Sequence, residues 1–128
     1  MIIEIISNRV QFKYKLELTN RYAYGIITVS KSQDPETIFY ERIWPTYSER
    51  VRLISLNLLP HNNYLFIADQ EYSSTTVFKI SAINPKDAYR CIFERWNLSC
   101  TNLTASNFVL RLKELGFNNI NFGTAIIN

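Results

Sequence analysis

The stretch QFKYKLELT at residues 11–19 decides the secondary structure of the N-terminal part of the chain. Apolar side chains occupy every second position from Phe12 to Leu18, and charged or polar side chains occupy the positions between them. Because successive side chains of a strand point to opposite faces, this alternation predicts a β-strand with one face on a core and one in water. Lys13 and Lys15 share the polar face of that strand.

Further strands are predicted on both sides of this segment. Apolar residues 2–7 precede it, and a short turn leads to a second apolar run at residues 24–30. The composition of residues 32–36 is typical of a turn, and we predict another strand over residues 37–44. The first 44 residues are therefore predicted to form strands only.

The segment at residues 47–58 fits two structures. Thr46 and Glu49 match a capping box, and the apolar residues that follow recur at spacings of four, three and four, as on one face of a helix. Residues 52–58 also alternate, as in a strand. We favour the helix, since the cap and the spacing agree, and keep the strand as the alternative.

The second half of the chain contains two more predicted strands, followed by a helix. Residues 64–68 are apolar on both faces, as in a central strand, and residues 74–82 are predicted to pair with them. Asn84 and Pro85 are a typical start for a helix, which we predict over residues 85–96.

A second helix and a final strand complete the predicted order. A cap at Thr104 or Ser106 begins the helix, and Gly116 is placed to end it in the left-handed conformation. The last strand is predicted near Ile120 and Phe122. This order predicts a single α+β domain over residues 1–128, with a mainly antiparallel sheet and two or three helices packed on one face.

Composition and charge limit the classes of protein to which the chain can belong. With 47% hydrophobic and 20% charged residues, it is neither a disordered tail nor a coiled coil. Its 14 basic and 11 acidic residues give a net charge of +3, which is weak for a dedicated duplex-binding protein. The abundance of Ile, Asn, Lys and Tyr suggests a bacterial or phage source.

The sequence contains no apolar run long enough to span a membrane. Residues 1–6 include Glu4 and lack the basic leader of an export signal. We therefore expect a cytoplasmic protein with no membrane partner.

Few residues are suited to catalysis or metal binding. His61 is the single histidine, in a predicted loop, and Cys91 is expected to be a buried thiol on the helix of residues 85–96. Cys100 is the more exposed cysteine and the better candidate for a reactive thiol. Asp69 and Glu71 are expected to be solvated loop acids.

No sequence motif indicates a cofactor or a metal. Only three glycines are present, and neither a phosphate-binding loop nor the ligand spacing of a zinc site occurs. We predict no catalytic residues, no metal and no cofactor, and we regard enzymatic activity as poorly supported.

Aromatic residues are the most informative feature for function. Eight Tyr, eight Phe and two Trp in so short a chain indicate that some rings lie on the surface, where Tyr, Trp and Arg anchor protein interfaces. Several of them cluster around the predicted first sheet and its turns, near the basic residues. The predicted binding residues are Tyr22, Tyr24, Tyr40, Trp44, Tyr47, Tyr72, Lys13, Lys15 and Arg21.

These observations favour a small cytoplasmic protein-binding module. Our leading hypothesis is an immunity or inhibitor protein that neutralises a toxin or an enzyme by occlusion, with the partner encoded nearby. The alternative is a nucleic-acid-binding domain that uses the strand face of Lys13 and Lys15. A small enzyme or toxin that uses His61 or Cys100 is a third hypothesis.

Overall fold

A computed structural model describes residues 1–99, 101 and 103–124. The chain forms two compact units, a small unit of residues 8–60 and a large unit of residues 1–7 and 61–128. The described residues form seven strands and three α-helices, so the α+β class with mainly antiparallel sheets is confirmed. That both units belong to one domain stays a prediction.

The elements are numbered in chain order. The strands are β1 (Ile2–Ile6), β2 (Arg9–Glu17), β3 (Tyr22–Ser30), β4 (Arg52–Leu59), β5 (Asn62–Gln70), β6 (Thr76–Ala82) and β7 (Phe117–Thr124). The α-helices are α1 (Pro35–Arg42), α2 (Pro85–Arg95) and α3 (Ala105–Glu114), and a short 3-10 helix spans Trp44–Thr46. The strands predicted around residues 2–7, 11–19, 24–30, 64–68, 74–82 and 120–122 are confirmed, as are the two C-terminal helices.

The small unit is a three-stranded antiparallel sheet with the order β3-β2-β4. One face of this sheet carries the apolar positions of the alternation, including Tyr14 and Leu16, and α1 covers it with Ile38 and Phe39. The Tyr14 and Phe39 rings lie 5.5 Å apart between centroids. We call the opposite face of this sheet the outer face.

The strand predicted over residues 37–44 is wrong, because a helix begins there. The Asp34 carboxylate accepts hydrogen bonds from the Thr37 N–H (3.3 Å) and hydroxyl (2.7 Å), and Pro35 supplies a helical φ at the first position. Ile38 and Phe39 are adjacent in sequence and both buried. A strand would place them on opposite faces, whereas a helix can bury both.

The helix favoured for residues 47–58 is also wrong, and the alternative strand is correct. A bulge shifts the register of β2 and β4 by one residue, so that Leu53 faces Leu16 while Leu56 faces Tyr14. Leu53 and Leu56 are therefore three residues apart and packed against the same core. The apolar spacing that favours a helix includes Ile54 and Leu58, but both of these side chains are exposed on β4.

The predicted capping box at Thr46 makes other contacts. The Thr46 hydroxyl donates to the Ile43 carbonyl at 2.7 Å. Glu49 instead accepts hydrogen bonds from Arg21 (2.8 Å) and from the Thr19 hydroxyl (3.3 Å). These contacts tie the β2–β3 turn to the segment that precedes β4.

The large unit is a four-stranded sheet with the order β1-β6-β5-β7, in which β1 and β6 are parallel and the other pairs antiparallel. Its central strands β5 and β6 bury Phe66 and Phe78 beneath α2 and α3. The Phe108 ring of α3 packs against Phe66, with centroids 6.0 Å apart, and against Tyr89, at 4.1 Å.

The predicted helix ends of the large unit are confirmed. Asn84 caps α2 by accepting from the Asp87 N–H at 2.8 Å. Thr104 caps α3 through a reciprocal pair of hydrogen bonds with Asn107. Gly116 has a φ of 95°, the left-handed value expected where α3 ends.

Candidate functional site

The outer face of the small unit displays a row of large exposed side chains along β3. Alternation places Tyr22, Tyr24 and Ile26 on this face, and they are 55%, 60% and 57% exposed. Lys13 lies opposite Ile26 on the neighbouring strand β2, and Lys15 lies opposite Tyr24. We call these five residues the Tyr–Lys face.

The two lysines of this face contact the tyrosine rings. Lys15 Nζ lies 4.4 Å from the centroid of the Tyr22 ring and 5.8 Å from that of Tyr24. Lys13 Nζ lies 5.8 Å from the Tyr24 ring centroid. Each exposed cation–π contact of this kind stabilises by about 0.5–1 kcal/mol. The contacts favour one arrangement of side chains that are otherwise free to rotate.

Polar contacts between strands border the Tyr–Lys face at both ends. At one end Glu17 forms a salt bridge with Arg52 of β4, with 3.0 Å between Oε2 and Nη2. At the other end the Gln11 amide donates to the Thr28 hydroxyl at 3.2 Å. These bonds link the side chains of neighbouring strands on the same face.

A close packing contact on the inner face determines which way these rings point. Gly25 lies opposite Tyr14, and a Cβ at Gly25 would overlap the Tyr14 ring. The ring therefore lies across the glycine, on the core side of the sheet. Since neighbours in a strand alternate, Tyr24 must then point outward.

Of the predicted binding residues, Lys13, Lys15, Tyr22 and Tyr24 come together on this face, and Ile26 is the member that sequence reasoning missed. The same period of two that placed the tyrosines also places Ile26 beside them. The signal was present, but the prediction considered only aromatic and basic residues.

The other predicted binding residues of the small unit lie elsewhere. Tyr40 and Trp44 are exposed on α1 and the short helix, with ring centroids 6.4 Å apart. Tyr47 is half-buried and packs against the core. Arg21 forms a salt bridge with Glu49 beside the β2–β3 turn.

Tyr72 belongs to the large unit and not to the Tyr–Lys face. It lies in the turn between β5 and β6, has a positive φ of 63° and is 99% exposed. It is therefore a natural reference residue for experiments on the tyrosines of β3.

Of the candidates for catalysis, the structure describes His61, before β5, and Cys91, on α2. His61 is half-buried before β5, and Cys100 lies outside the described residues. Cys91 is buried, as predicted. Its burial and, to a smaller extent, the nearby Asp87 carboxylate raise the pKa of its thiol. At neutral pH the thiol is therefore protonated and poorly nucleophilic.

Asp69, predicted to be a solvated loop acid, instead lies on β5 and is held by hydrogen bonds. Asp69 accepts hydrogen bonds from the Thr75 hydroxyl (2.6 Å) and the Asn119 amide (3.0 Å), and these bonds lower its pKa. Within the residues described, no group of three or more His, Cys, Asp and Glu side chains could hold a metal ion.

The large unit contains a buried polar cluster that the sequence analysis does not predict. Asp87 is buried and accepts two hydrogen bonds from Arg90, at 2.7 and 3.1 Å, and one from the Ile83 N–H. Arg90 also donates to the Ser7 hydroxyl (3.1 Å) and to Glu94 (2.8 Å). These hydrogen bonds join the segment after β1 to α2, and the groups that they connect all belong to the large unit.

Comparison with protein-family models, curated proteins and solved structures gave no match to this chain. Among the residues that the structure describes, none of the helices has the length and apolar character needed to span a membrane. The Tyr–Lys face is therefore the feature from which a function can be inferred.

Proposed function

We propose that this protein is a binding module whose Tyr–Lys face docks on a partner protein. The observation that carries the proposal is the row of Tyr22, Tyr24 and Ile26, each more than half exposed on one strand. Contiguous exposed apolar surface of this kind is typical of interaction sites.

The chemistry of the row suits protein recognition. A tyrosine offers a large contact area, a hydroxyl for hydrogen bonding and few rotatable bonds, so little entropy is lost when it is covered. The cation–π contacts of Lys13 and Lys15 reduce that loss further, because the side chains are already partly ordered before binding.

We propose further that the module neutralises its partner, a toxin or an enzyme, by covering a surface that the partner needs. The partly ordered side chains on this sheet face form a surface that is already present before binding, which suits occlusion. A bacterial cytoplasmic setting and a partner encoded nearby remain parts of this proposal.

The test is co-expression with the product of the adjacent gene, followed by gel filtration. We expect one complex of equal stoichiometry, and we expect the double substitution Tyr22→Ala, Tyr24→Ala to abolish it. Tyr72→Ala is the matched control, since it removes an even more exposed tyrosine outside the face. Two separate peaks for the unmodified pair would contradict the proposal.

Nucleic-acid binding is the second candidate function, and the observation that favours it is the pair Lys13 and Lys15 beside two tyrosines. Basic grooves with aromatic side chains bind single strands through phosphate contacts and base stacking. Such binding would weaken steeply with salt.

A further inference from the structure

The positive charge of the Tyr–Lys face lies on β2, the central strand of the sheet in the small unit. Lys13 and Lys15 are two residues apart on β2, which places their Cα atoms about 6.6–6.8 Å apart on the same face. In the part of the chain that the structure describes, neither lysine forms a salt bridge, whereas Glu17 is already paired with Arg52. The face therefore presents two positive charges in a line, and the nearest acid on the same strand, Glu17, is paired with Arg52.

The lysine contacts disfavour base stacking on this face. A nucleobase needs an open ring face, and the Lys15 ammonium already lies 4.4 Å from the centre of the Tyr22 ring. The Tyr24 ring has both lysine ammoniums near it, each 5.8 Å from its centroid. The ammonium groups remain able to form ion pairs with carboxylates, because an ammonium has three donors.

From this charge pattern we infer that the partner segment seated on the Tyr–Lys face is an extended acidic stretch with carboxylates at alternate positions. In an extended chain, residues two apart point the same way and repeat at the spacing of Lys13 and Lys15. One carboxylate can then reach each lysine while the intervening backbone lies along β2. This inference rests on the proposed function, since it specifies the chemistry of the partner.

The residues beside the lysines fit the same occupant. Tyr22 and Tyr24 carry hydroxyl groups that can donate to carboxylate or backbone oxygens, and Ile26 can cover the aliphatic part of a glutamate. The lysines of β2 thus select for an acidic segment, and the side chains of β3 supply contact area.

Two synthetic peptides of equal length and composition test the spacing. One repeats Glu-Ser, so its carboxylates fall at alternate positions; the other repeats Glu-Glu-Ser-Ser, in which no two carboxylates are two residues apart. Oligothymidylate of similar length is the third probe. Binding is followed by NMR shifts of the β2 and β3 amides at low ionic strength and again at about 0.3 M salt, where exposed ion pairs are screened.

We expect the Glu-Ser peptide to bind about threefold to tenfold more tightly than the Glu-Glu-Ser-Ser peptide, and to weaken on addition of salt. The double substitution Lys13→Gln, Lys15→Gln is expected to remove this preference. Lys86→Gln with Lys113→Gln is the matched control, since both lysines are exposed and belong to the large unit. Circular dichroism confirms that each variant is folded.

Three results would overturn the inference: equal binding of the two peptides, binding of neither, or tighter binding of oligothymidylate. Measurements on the complex with the partner protein distinguish a failure of this inference from a failure of the proposed function. If that complex resists salt and Lys13→Gln, Lys15→Gln but is lost with Tyr22→Ala, Tyr24→Ala, the module binds its partner there and the acidic segment is wrong. If the tyrosine variant also leaves the complex intact, the proposed site is wrong.

Discussion

In the sheet and helices of the large unit the described aromatic rings pack into the core, and Tyr72 in the β5–β6 turn is the exposed exception, whereas in the small unit two tyrosines of one strand point outward. Phe66, Phe78 and Phe108 are almost completely buried, and Phe108 contacts further rings on α2 and β7. Tyr22 and Tyr24 lie on the face of their sheet that no helix of the small unit covers. Ring content alone therefore does not reveal where a protein binds, because the register of each strand decides which rings are covered.

Buried rings and exposed rings also differ in role, because the first contribute to stability and the second to recognition. A buried ring contributes through the apolar area that it removes from water and through the neighbours that it contacts. An exposed ring contributes little to folding, so its presence in a row needs another explanation. Substitutions in the core of the large unit should therefore lower stability, whereas substitutions on the Tyr–Lys face should mainly weaken binding.

Phe108→Ala is expected to have the largest effect, because it removes the ring at the centre of the large unit. The ring is 1% exposed and contacts Phe66, Tyr89, Phe93 and Phe122. Truncation of such a ring lowers the free energy of unfolding by about 3–5 kcal/mol. Urea denaturation measures the loss. A change as small as that of Tyr72→Ala would show that these rings are not the main support of the unit.

Asp87→Asn is expected to cost about 1–3 kcal/mol near neutral pH, because Arg90 would lose its buried charged partner and keep only the exposed Glu94. Burial opposes the ionisation of Asp87, yet the bonds from Ser7, Arg90 and the Ile83 N–H lower its pKa from the ordinary 3.8. A group with a lower pKa in the folded state stabilises above its ordinary pKa, and this contribution is lost as the pH falls through the lower value.

The stability gap between the unmodified protein and Asp87→Asn should therefore shrink below about pH 4. Denaturation curves of both proteins from neutral pH downward check this. A gap that stays constant on acidification would show that the ionised carboxylate does not stabilise the cluster.

Gly25→Ala tests whether the inward position of Tyr14 determines the outward direction of Tyr24. The added methyl group would overlap the Tyr14 ring, and such overpacking costs about 1–3 kcal/mol. Gly123→Ala is the matched control, since among the described residues, apart from its chain neighbours, no heavy atom lies within 4 Å of the added Cβ. Thermal unfolding of both variants gives the comparison, and equal effects would refute the packing argument.

Tyr24→Ala is expected to have the smallest effect on folding, at most about 1 kcal/mol, because the ring is mostly exposed and loses only two exposed lysine contacts at 5.8 Å. The same substitution is expected to weaken partner binding. A loss of stability comparable to that of Gly25→Ala would mean that the ring has a structural role and would weaken the case for a binding face.

The sequence predicted most elements of the fold, and its failures have physical causes. Asn84 with Pro85 and Asp34 with Pro35 are equivalent cap signals, and both begin helices. Only the first is predicted to begin a helix, because the composition of residues 32–36 is also typical of a turn. A cap followed by proline is the stronger signal, since it fixes backbone conformation and satisfies an N–H that is otherwise unpaired.

The remaining features depend on contacts that one strand does not contain. The bulge opposite Lys15 and Leu16 changes which residues of β4 face the core, and it becomes visible only when the two strands are paired. The contact of Arg90 with Ser7 joins residues 83 positions apart. By contrast, the Tyr–Lys face could be anticipated in part, because alternation alone places Lys13 with Lys15 and Tyr22 with Tyr24.

The most direct test of the binding face is hydroxyl-radical footprinting of the free protein and of the partner complex. Mass spectrometry then gives the oxidation of each tyrosine without any substitution. We predict strong protection of Tyr22 and Tyr24 in the complex, while Tyr72 is oxidised to the same extent in both states. Equal oxidation of Tyr22 and Tyr24 with and without the partner would contradict the account.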